Sequence, residues 1–160
     1  MNTPISATAE RALTITRIFD APRELVWQMW TDAAHARHWW GPRHHPATKI
    51  ESLDVRVGGT WRIRLTGVES GRELWHGGVF HEVKKPERMV FTFKWDEDGE
   101  RGEENLVTIT FTEEGHKGSK KTRMTFRQEP FVSVEERDGH TEGWNSVFDR
   151  LADVLAALKG

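Results

Sequence analysis

The stretch Gly139-His140-Thr141-Glu142-Gly143-Trp144-Asn145-Ser146-Val147-Phe148-Asp149-Arg150-Leu151-Ala152-Asp153-Val154-Leu155-Ala156-Ala157-Leu158 decides the fold. Trp144, Val147, Phe148, Leu151, Val154, Leu155 and Leu158 recur at steps of three and four, which lays one apolar stripe along an α-helix. Asn145, Ser146, Asp149, Arg150 and Asp153 fall on the other face. Upstream, Ser133 and Glu136 fit a capping box, so the helix can begin there. Gly139 and Gly143 weaken that start and leave one as late as Thr141 open. A stripe this long needs an apolar surface to lie on.

The preceding chain supplies one. Residues 12–19 alternate as a strand; Asp20-Ala21-Pro22 then opens a short helix whose apolar face is Leu25, Val26, Met29 and Trp30. A second short helix is expected over 33–40, stopped by Gly41-Pro42. From there short alternating runs separated by turn residues read as an antiparallel meander over 48–57, 60–66, 73–84, 88–95, 105–112 and 121–128. Trp61, Ile63 and Leu65 share a face opposite Arg62 and Arg64. So do Met89, Phe91, Phe93 and Trp95, then Val107, Ile109 and Phe111, then Met124 and Phe126 with Thr122 and Gln128 in phase. In 73–84, alternation from Trp75 puts Gly77, Val79 and His81 inward and His76, Gly78, Phe80 and Glu82 outward. Loops are expected at the acidic segment 96–102 and at 113–120. A sheet with one apolar face needs one cover. The expectation is therefore α+β: a curved antiparallel sheet of about six strands, two short helices after the first, and a long helix over the sheet.

With 160 residues, 36% of them apolar, the chain suits one soluble domain over 12–160 behind a flexible tail, 1–11. A formal charge of -2 with mixed signs gives no basic field for nucleic acid. No run is long and apolar enough to span a membrane, and the first ten residues lack signal-peptide character. Without cysteine there is no thiolate zinc site, disulfide or cysteine nucleophile, and the cytoplasm is the expected location. Eight Trp, eight Phe and no Tyr read two ways: as a heavy core, or in part as rigid cavity walls.

Several segments together carry a resemblance: Ala21-Pro22 through Trp27, Trp30 and Asp32; His38-Trp39-Trp40-Gly41-Pro42; Asp54 through Gly58-Gly59 and Trp61; Gly78 through Glu82 into Pro86-Glu87-Arg88 and Phe91-Thr92-Phe93; Thr122 to Phe126; and Gly139 to Leu151. In this order they resemble single-domain bacterial relatives of the C-terminal domain of the Hsp90 ATPase activator, within the START and polyketide-cyclase-like (SRPBCC) superfamily. The resemblance runs from about Leu13 onward. It implies a helix-grip fold with a cavity between sheet and long helix, and no particular reaction.

Candidate chemistry is sparse. His35 and His38 have helical chelate spacing, but no carboxylate or thiol falls at a matching position, so no metal is expected; His44 and His45 are read as rim residues. Neither a serine elbow nor a phosphate-binding glycine loop occurs, and no cofactor is expected. His81, if inward, is the one weak catalytic candidate. The favoured reading is a domain binding a small, mainly apolar or aromatic molecule, more a binder than an enzyme. Its expected contacts are Trp61, Ile63, Trp75, Phe91, Phe93, Phe111, Met124, Phe126, Trp144 and Phe148, with Trp30, Trp39 and Trp40 closing one end and His81 and Gln128 orienting polar groups. Two alternatives remain: a cyclase- or hydrolase-type enzyme using that cavity, and a co-chaperone-like domain with a chaperone partner.

Overall fold

In the computed structural model, which describes residues 11–96, 104–115 and 120–159, the chain runs β1 (Leu13–Phe19), α1 (Arg23–Thr31), α2 (Ala33–Ala36), β2 (Ala47–Leu53), β3 (Thr60–Thr66), β4 (Glu73–Lys84), β5 (Arg88–Trp95), β6 (Asn105–Glu114), β7 (Lys121–Glu129) and α3 (Val134–Lys159). The strands form one antiparallel sheet in the order β1-β7-β6-β5-β4-β3-β2. It has seven strands where about six were expected, because β1 returns to pair with β7, Ile15 opposite Phe126. Residues 1–10 of the expected tail and most of the two expected loops lie outside the described residues. Arg11 is not loose: its carbonyl accepts from the Phe131 N–H at 2.8 Å.

The long helix begins at the capping signal. Ser133 Oγ accepts from the Glu136 N–H at 3.1 Å, and the Ser133 carbonyl takes the Arg137 N–H. Gly139 and Gly143 do not delay it. The second short helix is shorter than expected: α2 stops at Ala36, and the chain turns through Trp39 and Trp40 to Gly41. Gly41 has φ of 85°, and a Cβ there would strike the His45 carbonyl, so no other residue fits this corner.

The inner sheet face and the apolar stripe of α3 enclose the core, in which Ile63, Val107, Ile109, Met124, Phe126, Phe148 and Leu151 have no exposed surface. Strand β4 presents the opposite face from the one expected. Leu74, His76 and Phe80 point inward, while Trp75 and His81 point outward. Gly77-Gly78 carries no side chain to reveal the phase. Its missing Cβ atoms let the Trp61 and Thr92 backbones approach from either side, and the ladder to β5 slips between Phe80 and Glu82.

Candidate functional site

The interior beneath α3 is filled. Trp30, from α1, sits among Trp39 (centroids 4.7 Å apart), Trp40 (5.5 Å), Phe148 (6.1 Å), Phe126 and Trp144 (both 6.4 Å). Trp27 caps Phe111 edge-on, and Phe80 and Trp61 pack on Phe91. Hence Trp30, Trp39, Trp61, Ile63, Phe91, Phe111, Met124, Phe126 and Phe148, expected around a ligand, are core. The physical reason is volume: α1 and the turn after α2 push two large indoles under the helix, where a hollow was expected.

What stays open is one end of the grip. A cleft of about 790 Å³ lies between the first half of α3, the 40–45 turn and the adjoining ends of β3, β4 and β5. Its apolar lining comes from Trp40, Leu65, Leu74, Phe93, Trp95, Trp144 and Val147. Polar lining comes from His44, His45, Arg72, Ser133, Glu135, Glu136, His140, Glu142 and Ser146. On the helix side Gly139 and Gly143, four apart, face this space; a Cβ added to either would meet nothing within 4 Å.

Of the residues expected at a ligand, Trp40, Phe93 and Trp144 line the cleft. Gln128 does not: its Oε1 accepts from Trp144 Nε1 at 2.8 Å and its Nε2 donates to Asn105 Oδ1 at 2.7 Å, a closed buried relay. Trp75 lies on the outer face under the Arg62 guanidinium, 4.6 Å from the ring centroid. His81 is exposed there too and cannot serve as an acid or base in the cleft. His44 and His45 do sit at its rim, as expected.

Sequence reasoning missed His76 and His140. His76 is fully buried and touches Trp40, Trp61, Phe93 and Trp95, stacking on Trp95 at 4.7 Å. Its Nε2 accepts from Trp40 Nε1 at 2.9 Å, which places the ring proton on Nδ1. Burial pushes its pKa down to about 3; the Ile63 backbone opposes this, and His140 and Arg62 add to it. Nδ1 has no partner with hydrogen-bond geometry among the described residues. His140 repeats the arrangement: its Nε2 faces Trp95 Nε1 at 3.0 Å and its Nδ1 the Glu136 carbonyl at 3.0 Å. The indole N–H groups of Trp40, Trp95 and Trp144 are therefore all engaged within the protein. The cleft floor offers ring surface and no indole donor.

Both jaws are bolted together. Arg150 of α3 donates to the carbonyls of His38 (2.9 Å), Trp40 (3.0 Å) and Gly41 (2.6 Å). Burial and the nearby Arg43 lower its pKa. Arg43 donates its N–H to Ser146 Oγ at 3.1 Å and pairs with Asp153 at 2.9 Å. Among the described residues no group of three or more His, Asp or Glu side chains could hold a metal ion, and no helix is long and apolar enough to cross a membrane.

A family profile described as "Activator of Hsp90 ATPase homolog 1-like protein" matches residues 20–156. The chain belongs to this family. Among solved structures, the chain is similar to a Chromobacterium violaceum protein, with TM-score 0.80, 23% identity, and 91% of this chain and 97% of that one covered. It is also similar to an AHSA1 protein from Silicibacter pomeroyi, with TM-score 0.79, 28% identity, and 91% and 98% covered. A Mycobacterium smegmatis protein gives TM-score 0.73 at 30% identity, with 93% of each chain covered. No curated protein matches. The helix-grip architecture expected from the sequence is thus the one this family shares.

Proposed function

We propose that this protein binds a small, mainly apolar or aromatic molecule in the cleft between the sheet and the first half of α3. One observation carries the reading: a space of about 790 Å³, in the range of small-molecule sites, with an aromatic floor and a polar rim. The two glycines support it. Each costs the helix about 1 kcal/mol relative to alanine. At neither position does the fold require glycine, since a Cβ would meet nothing. A ligand burying about 200 Å² of apolar surface gains about 5 kcal/mol before ordering costs, so simple probes are expected to bind no tighter than about 0.2 mM. His140 has both ring nitrogens committed to neighbours, which favours binding over acid–base chemistry.

The test is occlusion. N-phenylnaphthylamine, a neutral probe that brightens in apolar surroundings, should bind the natural protein saturably. Gly143→Leu should abolish the response, because its side chain projects into open space and leaves the fold intact by circular dichroism and melting. Equal titrations for both proteins would refute the reading.

A further inference from the structure

The charge around the cleft is one-sided, and its floor has a matching preference. Glu135, Glu136 and Glu142 line the helix wall. The Glu136 carboxylate accepts only from the Val132 N–H, at 3.4 Å, and Glu135 and Glu142 have no ion-pair partner among the described residues. Elsewhere the carboxylates of α3 are paired: Asp138 with Arg137, Asp149 with Arg17 and Asp153 with Arg43. The acids without a cation are those that face the opening. Across it stand Arg72, His44 and His45, so three carboxylates oppose one guanidinium. Below them, Trp40, Phe93, Trp95 and Trp144 contribute aromatic surface whose negative π faces attract cations and repel anions. Behind this floor His76 touches all but Trp144 of these rings and is uncharged, so it adds no positive field of its own, while His140 packs on Phe93 and Trp95 from the helix side with both ring nitrogens committed to neighbours.

We propose that the cleft selects a planar aromatic molecule carrying a positive charge, a heteroaromatic or benzylic ammonium-type cation, with its ring toward the indoles and its charge toward the carboxylates of α3. This rests on the binding reading above and sharpens it to one ligand class.

Three probes of similar size separate the possibilities: N-methylquinolinium (cation), quinoline at pH 8 (neutral) and naphthoate (anion), each titrated by calorimetry into the natural protein and into the Glu135→Gln/Glu142→Gln double variant. Both substitutions are at exposed positions, so folding is not at stake. The expected result is N-methylquinolinium binding about tenfold tighter than quinoline, naphthoate binding weakest, and the cation's advantage shrinking to about twofold in the double variant and at high salt. Equal affinity for cation and neutral ring, or tightest binding of naphthoate, overturns the charge assignment while leaving the cleft reading in place. An advantage unchanged in the double variant also overturns it. Absence of binding by all three, together with no N-phenylnaphthylamine response, overturns both.

Discussion

At the scale of single residues, His76 has the clearest measurable consequence. Its folded pKa of about 3 lies below the ordinary 6.5. Between these values the unfolded chain takes up a proton that the folded one refuses. Stability is therefore full above about pH 6.5 and lost as pH falls toward 3, with a slope of at most about 1.4 kcal/mol per pH unit from this one group. Protonating Nε2 would also turn it against the Trp40 N–H that it accepts. Urea unfolding between pH 7 and 4 should show a flatter profile for His76→Gln than for the natural protein, at some cost near pH 7. Parallel profiles would assign the acid sensitivity to carboxylates instead. Glycine gives the opposite sign: Gly139→Ala and Gly143→Ala should each stabilise by about 0.5–1 kcal/mol, read as a rise of a few degrees in Tm, because the added methyls meet nothing. Trp144→Ala is no substitute for the occlusion variant. It empties core volume and strands Gln128, a loss of roughly 3–5 kcal/mol that would confound any binding measurement.

Among the elements, β4 and α3 show what the sequence could and could not say. The apolar stripe of α3 and its Ser133–Glu136 start were both legible, because the helical period and a capping box are local signals. His140 was missed although a local signal for it exists: it stands four residues before Trp144 and so extends the same stripe. The phase of β4 was not legible. Trp75 is the largest apolar group there, yet it is satisfied on the outer face by the Arg62 and Arg64 guanidinium groups. Only Arg62 and Arg64 on the neighbouring strand hinted at that. Nor could alternation foresee that the indoles of α1 and the following turn would fill the grip, since volume is a property of the assembled layers. The link between α3 and the 38–41 turn is testable. Arg150→Met removes three charge-assisted hydrogen bonds to backbone carbonyls and should cost about 2–3 kcal/mol in urea unfolding. Amide exchange should quicken in the 38–45 segment before it does in the sheet; uniform acceleration would mean that Arg150 supports the fold as a whole and not this jaw.

Over the whole molecule, rigidity and access are divided between the two ends of one helix. The C-terminal half of α3 seals the core through Phe148, Leu151 and Leu155; the N-terminal half, with its glycines and acids, borders open space. Substitutions toward the first end are expected to register as lost stability, whereas exchange of the exposed rim acids Glu135 and Glu142 at the second should alter ligand response with little change in melting. That separation is what allows binding and folding to be measured independently in this protein.

The interlocked rings have an optical corollary. Indoles of Trp30, Trp39 and Trp40 lie 4.7–5.5 Å apart, and Trp40 reaches Trp61 at 5.5 Å and Trp144 at 5.7 Å. Chromophores this close share excitation, so absorbed light migrates through the cluster instead of staying where it landed. A guest bound beside Trp40 or Trp144 would drain that common pool, and near-ultraviolet dichroism of the coupled rings reports their handed arrangement. The chain thus carries its own spectroscopic antenna, wired to the mouth where a visitor would arrive.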